Sequence, residues 1–164
     1  RGFDQLTDVI YNLKYMPESR RHVVTLWDPN EIDDMALPPC YHSFTFYVLN
    51  NRLNCHVTMR SSDVFVGLPY DIALFATMVR LICNTQNNKL KPGKLHFSLT
   101  DAHIYWANME TVYKYLSDME DGYVVPGLLP DLHAGKADIF NFNPSDLKIY
   151  NYAPKNSYKV SVVE

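Results

Sequence analysis

Residues 42–59 read HSFTFYVLNNRLNCHVTM, and this stretch predicts a β-hairpin. Apolar and polar side chains alternate on both sides of the pair Asn50-Asn51, with Phe44, Phe46 and Val48 on one face of the first half. Strict alternation is typical of a strand with one buried face, and adjacent asparagines favour a tight hairpin turn. We therefore expect an antiparallel pair of strands, around which the neighbouring segments are arranged.

The segments on either side of this hairpin mix helical and strand patterns. Apolar side chains recur at helical spacing in residues 3–15, 71–83 and 106–119. Strand-like runs occupy residues 22–27, 95–99, 139–142, 147–152 and 159–163, and residues 123–130 look extended. Asp4 is suited to cap the first helix. The length of 164 residues is near that of one ordinary domain.

Composition and charge exclude several classes of protein. The formal net charge of -3 argues against a dedicated nucleic-acid or membrane surface, and no apolar run approaches the length of a membrane span. The three cysteines, Cys40, Cys55 and Cys83, lack the spacing of a disulfide framework, which indicates free thiols in a reducing compartment. We therefore expect a cytoplasmic protein. The chain opens on Arg1 and reads like the interior of a longer polypeptide.

A thiol, an anion-binding pair and a carboxylate lie close together along the chain. Pro38-Pro39 fixes the approach of the backbone to Cys40. At the end of the hairpin, Arg60 offers a guanidinium fork and Ser61 a hydroxyl to a phosphate. Asp71 follows a Gly-Leu-Pro turn at the expected start of an apolar helix. Together these residues suggest covalent chemistry on a phosphorylated substrate.

Each of these residues also has a plainer interpretation. A cysteine such as Cys40 is more often a packed core thiol than a nucleophile, and Asp71 is suited to cap a helix. Arg20-Arg21 alone reads as a solvated turn, and His103 as a core histidine. A zinc site formed by the cysteines and histidines of residues 40–56 matches the spacing of no common finger.

Six motifs follow one another along the chain, and together they resemble a known family. They are Ser19-Arg20-Arg21, Pro39-Cys40, Arg60-Ser61-Ser62-Asp63, Gly67-Leu68-Pro69-Tyr70-Asp71, Asp101-Ala102-His103-Ile104-Tyr105 and Ile139-Phe140. Their order and spacing resemble the thymidylate synthase family, which transfers one-carbon units to carbon 5 of pyrimidine nucleotides. The resemblance implies an α/β (α+β) fold, with a mixed, twisted sheet flanked by helices. It implies a single domain over residues 1–164 that lacks the first part of the family's domain.

The resemblance assigns chemistry to the thiol and the arginines. It implies that the Cys40 thiolate adds to carbon 6 of the pyrimidine and so makes carbon 5 nucleophilic. Arg60 is the candidate cation that favours the thiolate, and with Ser61 it would hold the 5′-phosphate. In the family, the arginines that match Arg20 and Arg21 reach that phosphate from the other subunit. The resemblance therefore implies a homodimer with shared active sites.

The resemblance also implies where the sugar and the folate bind. His103 and Tyr105 match the pair that binds the sugar hydroxyl. The cofactor would be 5,10-methylenetetrahydrofolate, and Asp63 would hydrogen-bond its pterin. The positions that meet this folate match Asp63, Val66, Gly67 and Tyr70.

Asp71 departs from the thymidylate synthase pattern, which has asparagine at this position. An amide donates and accepts, so it can pair with uracil, whereas an ionised carboxylate only accepts. Cytosine presents an amino donor at the same edge, and its ring nitrogen gains a proton when the thiol adduct forms. The deoxycytidylate hydroxymethylase branch carries Asp here, and Met where this chain has Met59. Asp71 is therefore expected to favour a cytosine nucleotide, because an unpaired buried polar group costs a few kcal/mol.

Two further departures point in the same direction. Synthases have histidine where this chain has Tyr41, and that histidine orders water around the uracil oxygen. The final residue, Glu164, replaces the apolar end that closes over the synthase site, so water could reach the reaction intermediate. Water attack on the exocyclic methylene gives a hydroxymethyl group, whereas hydride from the folate gives a methyl group.

The leading prediction is a folate-dependent deoxycytidylate (dCMP) 5-hydroxymethylase that favours dCMP over dUMP. The alternatives are a thymidylate synthase that methylates dUMP and a cytidylate methylase. A non-enzymatic alternative is a catalytically incomplete nucleotide-binding fragment. The family takes another phosphate arginine, a catalytic glutamate and folate-packing aromatics from the first part of its domain. If the chain truly starts at Arg1, we expect weak nucleotide binding without turnover.

Overall fold

The computed structural model describes residues 3–87, 89–120, 131–152 and 156–162. Its α-helices are α1 (Gln5–Tyr15), α2 (Gly67–Thr85) and α3 (Met109–Glu120). Its strands are β1 (Val23–Thr25), β2 (Tyr41–Leu49), β3 (Arg52–Met59), β4 (Ser62–Asp63), β5 (Lys91–Leu99), β6 (Ala102–His103), β7 (Asp131–His133) and β8 (Lys148–Tyr150). Short 3₁₀ helices occupy Ile32–Asp34, Trp106–Asn108 and Pro144–Asp146.

Four of these strands form one mixed sheet in the order β1-β2-β3-β5. The pairs β1/β2 and β2/β3 are antiparallel, and β3/β5 is parallel. Two parallel strands need a long crossover, and α2 lies within this one. The twisted sheet with its flanking helices confirms the predicted fold class.

The predicted hairpin is present, with its turn at the predicted residues. Asn50 and Asn51 form its turn with φ angles of 51° and 58°, the left-handed values that a two-residue hairpin turn requires. Across the pair, Phe44 lies opposite Val57 and Phe46 lies opposite Cys55. The apolar side chains of both strands therefore share one face.

The core lies between this face and the helices α1 and α2. Its buried side chains include Ile10 and Leu13 from α1, and Phe75, Val79 and Ile82 from α2. Since successive strand residues point to opposite faces, neighbouring positions such as Tyr47 and His56 point outward. Burial also raises the pKa of both remaining thiols, those of Cys55 and Cys83, to about 12.

The zinc alternative does not fit the strand geometry. Cys55 is buried in the core, whereas the next residue, His56, is exposed. Successive strand residues point to opposite faces, so these two side chains do not converge. Among the described residues, no group of three or more His, Cys, Asp or Glu side chains could hold a metal ion. No helix in the described part of the chain is long and apolar enough to cross a membrane.

Several predicted boundaries are correct and others are wrong. Asp4 caps α1 by accepting a hydrogen bond from the Thr7 amide at 2.9 Å, as predicted. However, residues 139–142 form a turn instead of a strand, since Asp138 accepts from the amides of Phe140 and Asn141. Residues 159–162 form no strand either. The extended segment predicted for residues 123–130 lies outside the described residues.

Helix α2 begins four residues earlier than the sequence pattern predicts. It starts at Gly67, and Val66 occupies the capping position. Pro69 falls in the first turn, where an amide hydrogen has no partner within the helix, so proline is tolerated there. Asp71 consequently lies in the second turn, and the interpretation of Asp71 as a helix cap is wrong.

Candidate active site

Two side chains hold the loop that presents Cys40. The Arg60 guanidinium donates from Nε to the Pro39 carbonyl at 3.2 Å and from Nη2 to the Pro38 carbonyl at 2.8 Å. The Trp27 indole Nε1 donates to the same Pro39 carbonyl at 3.1 Å. The Arg60 amide also donates to the Cys40 carbonyl at 2.8 Å. The structure therefore anchors the guanidinium on the loop that carries the thiol.

Arg60 keeps hydrogen-bond donors for an anion after it has fixed this loop. A guanidinium carries five N–H donors. Because two of them reach the Pro38 and Pro39 carbonyls, three remain. The neighbouring Ser61 is half-buried, and its hydroxyl bonds to none of the described residues. Arg60 and Ser61 can thus receive a phosphate at the end of β3.

The parallel pair β4/β6 joins two motifs that lie about forty residues apart in the sequence. Asp63 lies directly opposite His103. The Asp101 amide donates to the Arg60 carbonyl at 3.2 Å, and the Ser62 amide donates to the Asp101 carbonyl at 2.8 Å. The candidate residues for phosphate, folate and sugar therefore meet beyond the ends of β3 and β5.

His103 and Tyr105 lie together at this edge. Their rings meet edge to face, with centroids 4.9 Å apart. The His103 Nδ1 is 3.7 Å from the Asp101 carboxylate, too far for a hydrogen bond, and has no partner among the described residues. The Nε2 atom of His103 and the Tyr105 hydroxyl make no hydrogen bond to them either. Both side chains therefore have polar atoms to offer a sugar hydroxyl.

The segment from Asp63 to Tyr70 fits a folate. The Asp63 Oδ1 atom accepts from the amides of Phe65 at 3.0 Å and Val66 at 3.2 Å, which fixes the carboxylate at the entrance to α2. Its Oδ2 atom has no hydrogen-bond partner among the described residues, so it can accept an N–H of a pterin. Gly67 has no side chain, and a Cβ there would make only an ordinary contact, 3.8 Å from the Asp63 Cβ. The Tyr70 side chain is 76% exposed and available to a ligand.

Tyr41, the residue after Cys40, lies near enough to Asp71 and to the thiol to interact electrostatically with both. Asp71 is half-buried in α2, and this burial raises its pKa. The pKa of Tyr41 is raised first by burial and then by the charges of Asp71 and Cys40. Electrostatic effects of this kind fall off over a few ångströms. The base-reading candidate Asp71 thus lies in the same region of the fold as the thiol.

A single chain does not bring Arg20 and Arg21 to this pocket. Both side chains are exposed ahead of β1, and the Phe46 amide donates to the carbonyl of the next residue, His22. Cys40 lies six residues before Phe46, about 20 Å along the strand. An arginine side chain cannot span that distance. Arg20 and Arg21 therefore cannot reach a ligand that is bound beside the Cys40 of the same chain.

Sequence reasoning missed two residues of this region. Trp27 was read only as part of a strand, yet its indole fixes the loop before Cys40. A half-buried tryptophan needs an acceptor for its N–H, but the pattern does not reveal which one. Ser62 is buried, and its hydroxyl has no partner among the described residues. The remaining predicted departure, Glu164, lies outside the described residues.

The comparisons with known proteins agree with this geometry. The sequence profile of the family named Thymidylate synthase matches residues 1–164. A thymidylate synthase from Staphylococcus haemolyticus is 39% identical over 160 residues, which are 98% of this chain and 48% of that protein. The chain thus spans about half the length of this curated relative. The match over the whole chain shows that it belongs to the thymidylate synthase family.

Proposed function

We propose that the protein containing this chain is a folate-dependent dCMP 5-hydroxymethylase. Residues 1–164 would belong to a single thymidylate synthase-like domain, and one-carbon transfer to carbon 5 of a pyrimidine nucleotide would be its reaction. The observation that carries the choice of dCMP is the half-buried carboxylate of Asp71 next to Tyr41 and Cys40. The cytoplasmic location stays a prediction that depends on the three free thiols.

The proposed chemistry gives each candidate residue one task. The Cys40 thiolate adds to carbon 6 of the base, which makes carbon 5 a nucleophile. Arg60 keeps the thiol loop in place and, with Ser61, holds the 5′-phosphate. His103 and Tyr105 bind the sugar hydroxyl.

The folate would lie along the segment between β4 and the first turns of α2. Bound 5,10-methylenetetrahydrofolate supplies the one-carbon unit. Asp63 would orient the pterin through its free carboxylate oxygen, and Gly67, which has no side chain, would let the ring system approach the backbone. Val66 and the exposed ring of Tyr70 would line the same path.

Asp71 would read the edge of the base. An ionised carboxylate accepts hydrogen bonds but donates none. The amino group of cytosine, and its ring nitrogen once protonated in the thiol adduct, both donate. Uracil instead presents an oxygen at this edge, which would be left unpaired against Asp71 at a cost of roughly 1–3 kcal/mol. The acceptor-only chemistry of an ionised Asp71 therefore supports the proposed preference for dCMP over dUMP.

The alternative is thymidylate synthesis or a cytidylate methylase activity, and the 39% identical relative is a thymidylate synthase.

Product analysis decides between the proposed reaction and these alternatives: the complete protein is incubated with methylenetetrahydrofolate and either dCMP or dUMP. We expect 5-hydroxymethyl-dCMP and tetrahydrofolate. Turnover of dUMP alone would contradict the cytosine assignment. Release of dihydrofolate would show methylation in place of hydroxymethylation.

A homodimer built through the sheet is part of the same proposal. The face of the sheet opposite α2 carries exposed side chains at Tyr47, His56 and His96. Tyr47 is hydrogen-bonded to His96 at 3.1 Å, and His56 is hydrogen-bonded to Ser98 at 2.8 Å. The polar groups of this face thus pair with each other, and no helix from the described residues covers them. Docking two such faces would let Arg20 and Arg21 complete the partner's phosphate site. Their own Cys40 is out of reach, since it lies about 20 Å away along β2.

Replacing Thr45 with arginine tests the dimer. Thr45 lies opposite His56 on β3 and Val23 on β1, in the middle of the exposed face. Two-fold docking would bury like charges against each other, so we expect a monomer in light scattering and a loss of about 100-fold or more in activity. The matched control is Ser117→Arg on the exposed face of α3, which should stay dimeric and active. A Thr45→Arg monomer with unchanged activity would contradict shared sites.

A further inference from the structure

Residues 156–162 lie along α3 and are fixed there through their backbone. Just before this helix, the buried Asn108 side chain donates from Nδ2 to the Ser161 carbonyl at 2.9 Å and accepts from the Ser161 amide at 2.8 Å. Within the helix, the Thr111 hydroxyl donates to the Lys159 carbonyl at 3.1 Å. These three hydrogen bonds use no side chain of the segment itself, so a substitution within the segment leaves them intact.

Tyr158 anchors the same segment through its side chain. Its hydroxyl donates to the Asp118 Oδ2 atom at 2.9 Å, and the Asn156 Nδ2 atom donates to the same oxygen at 3.0 Å. Its ring meets the Tyr115 ring edge to face, with centroids 5.4 Å apart. Tyr115 and Asp118 lie on one side of α3, since they are three positions apart. The half-buried Tyr158 side chain is therefore held at its ring and at its hydroxyl.

The contact between these rings continues to the segment that fits a folate. The Tyr115 ring also meets the Phe65 ring edge to face, with centroids 5.8 Å apart. The Phe65 amide donates to the Asp63 Oδ1 atom at 3.0 Å. Edge-to-face contact is a preferred arrangement of two aromatic rings. The aromatic row Phe65–Tyr115–Tyr158 thus connects residues 156–162 with the carboxylate that is proposed to hold the pterin.

The turn at Phe65 needs this support because the chain has left the sheet there. Strand β4 ends at Asp63, and the Val64 amide still donates to the His103 carbonyl at 3.0 Å. The Phe65 amide donates instead to the Asp63 side chain. The ring contact with Tyr115 therefore ties this part of the turn to α3.

We propose that Tyr158 is a positioning residue for the folate, and that it acts through the aromatic row on the Asp63 carboxylate. The inference rests on the proposed function, because Asp63 has this task only in a folate site. Tyr158 itself contacts neither the folate nor the nucleotide. The loop before Cys40 is held separately by Trp27 and Arg60, so Tyr158 affects folate binding much more than nucleotide binding.

The test measures the binding of folic acid by calorimetry in the complete protein with dCMP bound. Folic acid carries a pterin but no one-carbon unit to transfer, so no reaction disturbs the titration. Tyr158→Ala removes the end of the aromatic row. We expect it to weaken folic acid binding by about three- to tenfold, while the affinity for dCMP changes by less than about twofold.

Two further variants serve as controls for this substitution. Tyr158→Phe keeps the ring contact with Tyr115 and removes only the hydroxyl, so it should retain most of the affinity for folic acid. Tyr113→Ala removes an exposed tyrosine on α3 that lies outside the aromatic row, and it should bind folic acid and dCMP like wild type.

A double-mutant cycle tests whether the effect passes along the row. Tyr115→Ala removes the middle ring, so Tyr158→Ala should add little to the loss of folic acid affinity in that background. Additive losses, equal weakening of folic acid and dCMP binding, or an unchanged folic acid affinity in Tyr158→Ala would each overturn the positioning role.

Failure of this inference is distinguishable from failure of the proposed function. The titration needs no turnover and is repeated with dUMP bound, so it does not depend on the choice of base. A wild-type protein that binds no folic acid with either nucleotide would contradict the proposed folate site, and the role of Tyr158 with it. Normal folic acid binding by wild type and Tyr158→Ala alike would overturn the role of Tyr158 alone.

Discussion

Replacing Cys40 with alanine is expected to lower kcat for one-carbon transfer by about 10⁴-fold or more. Without the thiolate, nothing adds to carbon 6 and carbon 5 stays unreactive. In the proposed site, Arg60 and Ser61 would still hold the phosphate, so nucleotide binding should weaken much less than catalysis. Product formation by liquid chromatography and dCMP affinity by calorimetry check the two parts of this expectation.

The other two cysteines provide controls for this substitution. Cys55 and Cys83 are buried, and the pKa of each is raised to about 12, so neither is a thiolate near neutral pH. Cys55→Ala and Cys83→Ala each remove a packed side chain and should lower the free energy of unfolding by about 1 kcal/mol. Their kcat values should stay within a few-fold of wild type. A Cys40→Ala variant that retains more than about 1% of wild-type turnover would contradict the nucleophile assignment.

Replacing Asp71 with asparagine is expected to reverse the base preference. The amide can donate to the uracil oxygen and accept from the uracil ring N–H. In the thiol adduct, cytosine presents two donors, its amino group and its protonated ring nitrogen. The amide accepts from one of them and places its own N–H donor against the other. Gaining one pairing and losing another at a half-buried site should change the ratio of kcat/KM for dCMP and dUMP by about 10³-fold. Steady-state kinetics with both nucleotides at several pH values measures this ratio.

An exposed carboxylate outside the pocket supplies the matched control. Asp33 lies in the 3₁₀ helix before Cys40 and makes no hydrogen bond through its side chain to the described residues. Asp33→Asn removes the same charge and should leave the nucleotide preference unchanged. If Asp71→Asn and Asp33→Asn show the same ratio as wild type, Asp71 does not read the base.

The parts of the fold that depend on local patterns could be predicted from the sequence. Alternation around Asn50-Asn51 defines the hairpin because one strand face is buried. The nearness of Cys40 and Arg60 follows from that hairpin, since they flank its two ends. By contrast, the start of α2 was predicted too late because Pro69 looks like a helix breaker, although it is tolerated in the first turn.

Non-local features of the site could not be predicted in this way. The pairing of Asp63 with His103 depends on two short parallel strands far apart in the chain. The orientation of Tyr41 depends on a bulge, and one extra residue reverses the face that simple alternation assigns. In the proposed dimer, the position of Arg20 and Arg21 relative to a phosphate would depend on a second subunit. These features come from tertiary and quaternary geometry, which a single sequence pattern does not encode.

The most direct measurement is the mass of the peptide that contains Cys40 after reaction with a 5-fluorinated nucleotide. The complete protein is incubated with methylenetetrahydrofolate and either 5-fluoro-dCMP or 5-fluoro-dUMP, then digested for mass spectrometry. Fluorine at carbon 5 blocks the release of the base, so a covalent adduct accumulates on the nucleophile. We expect an adduct on Cys40 that forms much faster with 5-fluoro-dCMP. An unmodified Cys40, or an adduct with 5-fluoro-dUMP alone, would contradict the proposed reaction.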